Sequence, residues 1–137
     1  MEKLYSKVDP EKLLHIVYVA GDFKEQRTEL VDPNNFIQCA YLRMEKGTTF
    51  RPHRHIWKSP SYDKVIAQES WVVIKGSVNA IFYDTDGEYL ESHILYTGDC
   101  SFTLEGGHNY EILEDDTVVY EYKTGPYTGQ ENDKVFI

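Results

Sequence analysis

The chain has 137 residues, a formal net charge of -9, and 41% hydrophobic and 14% aromatic residues. This length suits one domain with a proper core and is too short for two, so residues 1–137 are read as a single unit. The acidic field repels nucleic acid and anionic membrane, no run of about 18 apolar residues offers a span, and the opening MEKLYSKVDPEKLL lacks a signal-peptide core, so a cytoplasmic protein with small-molecule partners is expected.

In chain order, DPEKLL from Asp9 opens with an N-cap Asp and Pro at the first helical position, enough for one helical turn. Extended segments follow from alternation and from β-branched and aromatic residues. They are LLHIVYVA from Leu13, NFIQCAYLRM from Asn35, the strand-like GTTFRPHRHIW from Gly47, and SWVVIKGSVNAIFY from Ser70. YLESHIL from Tyr89, CSFTL from Cys100, NYEIL from Asn109 and TVVYEYK from Thr117 complete the set. Turn residues separate them, DTDGE around Gly87 being the clearest hairpin signal. Cys39 and Cys100 each sit in an apolar run without metal or redox spacing and are read as buried free thiols. The closing KTGPYTGQENDK is polar and turn-rich, a tail lying over the surface toward a partner subunit. Many short strands with no helix of useful length imply an all-β, antiparallel sandwich or closed barrel.

The chemistry concentrates around the histidines. In a strand, side chains two apart share a face, so His53 and His55 converge while Arg54 points away. Two imidazoles about 7 Å apart along the backbone can close on one cation. Glu69, opening the strongest strand, and His108, after the Gly106-Gly107 turn, are the candidate further ligands. Imidazole with carboxylate suits Zn, Mn, Fe, Co or Ni, among which the sequence does not choose. His15 and His93 read as ordinary core or surface histidines.

The order Gly47, five residues, His53, one residue, His55, then Glu69, six residues and Gly76 resembles the first sequence motif of the cupin superfamily. Gly98, CSFTLEGGH and His108 are similar to the second. The resemblance covers residues 47–112 and implies a jelly-roll barrel (double-stranded β-helix) of six to eight strands, with His53, His55, Glu69 and His108 around a divalent metal at its mouth. Arg51, sharing the parity of the histidine pair, is a candidate for holding an anionic substrate group. Tyr110, sharing the parity of His108, is a candidate acid or base. Trp71 and Val73 follow Glu69 on one face as an apolar wall, and the insertion carrying Trp57, Pro60 and Tyr62 is a candidate lid.

The function expected is a metal-dependent enzyme, of isomerase or oxygenase type, acting on a small carbohydrate- or acid-like metabolite. One alternative is a metal-independent isomerase or epimerase, with His53 or His55 as base and Tyr110 as acid; another is a non-catalytic binding protein. A homodimer is expected from the open edges of small antiparallel sheets and from the family resemblance.

Overall fold

The computed structural model describes residues 1–21, 25–32, 34–43, 45–55, 66–125 and 129–137. The insertion carrying Trp57, Pro60 and Tyr62 lies outside the described residues. Among those described, ten strands form: β1 (Glu2–Tyr5), β2 (Leu13–Tyr18), β3 (Arg27–Glu29), β4 (Ala40–Leu42), β5 (Glu69–Lys75), β6 (Ser77–Tyr83), β7 (Tyr89–Tyr96), β8 (Cys100–Thr103), β9 (Gly107–Ile112) and β10 (Val118–Lys123). A short 3-10 turn spans Gln130–Asn132. Every strand pairing is antiparallel. A five-stranded sheet runs in the order β1-β2-β8-β5-β10, a three-stranded sheet in the order β7-β6-β9, and β3 pairs with β4 alone. The sheets have open strand orders; among the described residues none closes on itself as a barrel.

The middle of the large sheet is covered on both faces, which explains why β8 is buried at every position and β2 at all but its first, while the edge strands β1 and β10 stay largely exposed. One face carries Ile16, Tyr18, Cys100 and Phe102 against Leu30, Val31 and Ile37 of the β3–β4 layer. The other carries Leu4, Val17 and Val73 against Val78, Ala80, Phe82 and Leu95 of the smaller sheet. Phe82 and Phe102 are among the largest fully buried side chains, each contributing about 2–3 kcal/mol by removal from water. The chain crosses between the sheets at tight connections. Gly76 alone joins β5 to β6 at φ +82°, where a Cβ would collide with the Thr117 hydroxyl. Gly106, before β9, has φ +84°, and a Cβ there would stand 2.6 Å from the Tyr83 carbonyl oxygen. Only glycine meets both demands without strain.

The fold departs from the expected strands at identifiable points. The segment from Asn35 forms a strand only at Ala40–Leu42. Before it, Gln38 donates to the Asp32 and Asn35 carbonyls and the Ile37 N–H goes to Gln68 Oε1 at 2.8 Å, so side chains take backbone partners that a ladder would have used. Residues 48–55 form no strand, although their alternation reads as one; Pro52 has no N–H to offer a ladder. DPEKLL makes a turn closed by Lys12 N–H to the Asp9 carbonyl, 2.9 Å, with no helix following. β1 and β3 were not expected, being too short for alternation to register.

The buried Asp84 ties the end of β1 to the β6–β7 hairpin. It accepts from the Ser6 hydroxyl at 2.7 Å and from the N–H groups of Lys7 and Thr85 at 2.6 and 2.7 Å. Burial opposes its ionisation, but these donors outweigh burial and hold its pKa at about 2 against an ordinary 3.8. A depressed carboxylate stabilises the fold above its unfolded pKa, and that contribution is lost as pH falls from about 4 through about 2. Asp84→Asn, which turns an amide toward these donors, is expected to cost about 1–3 kcal/mol near neutral pH and to flatten the acid limb below pH about 4; urea melts from pH 2 to 7 measure both.

Candidate functional site

The site begins with a row across the five-stranded sheet. Leu4, His15, Thr103, Glu69 and Lys123 are successive cross-strand partners and so share the face turned to the smaller sheet. The next row on that face runs Glu2, Val17, Ser101, Trp71, Glu121. From the opposing sheet β9 contributes His108 and Tyr110. The apolar cluster fills one part of the space between the sheets; polar residues of these two rows and of β9 occupy another.

Glu69 Oε1 and His108 Nε2 meet at 3.1 Å, with side chains 12% and 22% exposed. A carboxylate only accepts, so the imidazole donates from Nε2, leaving Nδ1 buried and without a hydrogen-bond partner among the described residues. Burial pushes the Glu69 carboxyl up, but His108, by hydrogen bond and charge, holds it below the usual carboxylate range, assisted by Lys134 and Lys123. Trp71 stacks on Tyr110 at 4.0 Å and 5°, and its buried Nε1 also lacks a partner among the described residues. The Tyr110 hydroxyl lies 2.8 Å from Ser101 Oγ, and burial pushes its pKa up, so it stays protonated. His15 is neutral: burial lowers its pKa to about 4, Nε2 donates to the Tyr83 carbonyl at 3.1 Å, and Nδ1 faces the Thr103 hydroxyl at 3.2 Å. It is a satisfied core residue.

Two spaces that share Glu69, His108, Asn109 and Lys134 in their linings open here. A pocket of about 190 Å³ is lined by Glu69, Trp71, His108, Tyr110 and Lys134, and a cleft of about 780 Å³ is bounded on one side by Lys134 through Ile137. Asp133 anchors this last segment through a 2.9 Å ion pair to Lys123, the strand partner of Glu69.

The expected ligands are therefore brought together in part. Glu69 and His108, from separate motifs and separate sheets, are in contact. His53 and His55 keep their rings close, 5.4 Å between centroids, but both are exposed, neither is on a strand, and His53 Nδ1 bonds to the Arg51 carbonyl at 2.9 Å. Arg51 is exposed in the same irregular segment, so the shared strand face inferred for it is not formed. Among the described residues, the one group of three or more His, Cys, Asp or Glu with ligand atoms within 4.8 Å is Glu2, Glu91 and His93, half-buried to exposed where β1 and β7 approach. As arranged, Glu69 and His108 bond to each other and offer a cation two donors, fewer than the three or four that a transition ion takes from protein. Sequence reasoning missed the His93 group and Lys134, because neither the meeting of β1 with β7 nor the return of the C-terminal segment has a local signature.

The opposing influences on Glu69 give a direct check. Removing His108 leaves burial unopposed by its strongest partner, so His108→Ala is expected to move the Glu69 titration upward from below the usual range; ¹³C NMR of the carboxyl against pH measures it. In the wild type, Glu69 stabilises the fold above pH 4.5 and loses that contribution as pH falls through its lowered native pKa.

No curated protein and no solved structure matches the chain. The family model of DUF6016, described as a domain of unknown function, matches residues 26–95, a span that holds His53, His55 and Glu69. That span is just over half of the chain, and the chain belongs to this family.

Proposed function

We propose that the chain is a jelly-roll enzyme whose cleft takes a small polar, carbohydrate- or acid-like molecule, with Glu69 and His108 as its acid–base pair. The observation that carries this reading is the 3.1 Å contact between Glu69 and His108 at the wall of a pocket where His108 Nδ1 and Trp71 Nε1 have no partner among the described residues. Buried polar atoms without partners are costly, and a small polar ligand that enters the pocket and shifts the Trp71 and His108 rings enough to reach them satisfies both a donor and an acceptor. The four passages of the chain between the five- and three-stranded sheets support the jelly roll.

In this reading Glu69 fixes the tautomer of His108, so Nδ1 is the basic atom. When Nδ1 takes a proton from a carbon beside a carbonyl, the bonding electrons pass into the enolate, and the ionised Glu69 stabilises the imidazolium. Tyr110, protonated and engaged with Ser101, holds the Trp71 ring flat as a wall for the substrate's carbon skeleton.

A second reading retains a divalent transition ion held by Glu69 and His108 with His53 and His55. The close approach of the latter two rings and their one-residue spacing favour it. A homodimer is proposed beside either reading, supported by Tyr120 and Tyr122, 55% and 57% exposed on the edge strand β10. The cytoplasmic location rests on composition and the two free cysteines.

The test is solvent-deuterium uptake by a panel of aldoses, ketoses and hydroxy acids, followed by ¹H NMR with metal-stripped protein. Exchange is expected without added metal and falls about 100-fold or more in both His108→Ala and Glu69→Gln. Exchange that is absent, or equal in wild type and His108→Ala, rejects the acid–base reading. Activity restored only by one equivalent of Zn, Mn, Fe, Co or Ni, and lost in His53→Ala, replaces it with the metal reading.

A further inference from the structure

The charges around the cleft are unequally matched. Of the two lysines that line it, Lys123 is committed to Asp133 at 2.9 Å, whereas no carboxylate lies within ion-pair distance of Lys134 among the described residues. Lys134 lines both the small pocket and the larger cleft, as Glu69 and His108 do. Its backbone is held in place: its N–H bonds to the Gln130 carbonyl at 3.2 Å, as does that of Asp133, and the adjoining Asp133 side chain is pinned to β10. A lysine fixed at its root, with a flexible stem and no hydrogen-bond or ion-pair partner among the described residues, feels the Glu69 carboxylate only at a distance and is arranged to meet a further negative charge brought by a ligand.

We propose that Lys134 recognises an anionic oxygen group, a carboxylate or phosphate, on the molecule that enters the cleft. This rests on the reading of the cleft as a small-molecule site and narrows its ligand class from polar to acidic. The ammonium of Lys134 grips the anion while the neighbouring carbon or hydroxyl faces His108. The geometry also moves the anion-binding role away from Arg51, which stands exposed in the irregular segment before His53. The charge of Lys134 already reaches the dyad, since it helps to keep Glu69 ionised, so an anion bound to Lys134 is sensed at Glu69 and His108.

The experiment is a ¹⁵N NMR titration of the full chain with lactate, inorganic phosphate and lactamide, the last an uncharged match for lactate. Lactate or phosphate is expected to shift the Trp71 indole and Asn109 resonances. The apparent Kd is expected to rise about fivefold or more in Lys134→Ala and to return to within about twofold of wild type in Lys134→Arg. Lys75→Ala, which removes an exposed charge away from the cleft lining, is expected to leave Kd unchanged. Which anion binds tighter tells carboxylate from phosphate. Equal binding of lactamide and lactate, or a Kd unaffected by Lys134→Ala, overturns the assignment of Lys134 while leaving the acid–base site standing if the deuterium exchange depends on His108. No shift at the pocket with any of the three probes overturns the anion site.

Discussion

Covering the middle of the five-stranded sheet, β2 and β8, on both faces is the constraint from which the rest follows. With β2 and β8 enclosed, a polar side chain on their inner face cannot turn to water and must find a partner inside. His15 finds the Tyr83 carbonyl and Thr103, Ser101 finds Tyr110, and Glu69 on the adjoining β5 finds His108 from the opposite sheet. The polar row is thus a by-product of the same burial that makes the core. It is also why two ionisable groups sit together where solvent screens them little.

The balance of terms at Glu69 shows how a site of this kind is tuned. Burial alone would favour the neutral acid; one imidazole at 3.1 Å, with two lysines farther off, reverses the preference. Asp84 reaches the same outcome with neutral donors instead, through the Ser6 hydroxyl and backbone N–H groups. The difference matters chemically. A carboxylate saturated by fixed N–H groups is structural, whereas one resting on a titratable ring can alter its surroundings when that ring gains or loses a proton.

Much of this was legible in the sequence. Alternation and turn chemistry located β5 to β10, because each is a run of β-branched and aromatic residues set off by turns such as those at Gly76, Gly87, Gly98, Gly106 and Asp116, even though only β6 and β7 among them pair as sequence neighbours. Glu69 and His108 could be named together as candidate ligands because one opens a strong strand, the other follows the Gly106-Gly107 turn, and both fall in the motifs that resemble those of cupins. What failed was local pattern without tertiary support. GTTFRPHRHIW alternates as a strand should, yet Pro52 interrupts the donors and residues 48–55 pair with no strand, so the parity argument for His53, His55 and Arg51 had no backbone to act on. The segment after Asn35 lost most of its strand to side-chain bonds from Gln38 and Gln68, groups whose reach a one-dimensional pattern does not record. The return of Lys134 to the cleft is marked by an ion pair between residues ten apart and by Ile137 lying against Gly87 and Gly107, contacts that no local pattern records.

The single glycine between β5 and β6 has a further consequence. With one residue for a connection, neither strand has slack to slide, and side-chain facing along a strand inverts with every step. Were β10 to shift by one position against β5, Glu69 would no longer stand beside Lys123, and the segment carrying Asp133 and Lys134 would lose its mooring. Assembly of the pocket is therefore an all-or-none report on correct strand alignment: a misthreaded molecule could keep most of its β content and still have no cleft.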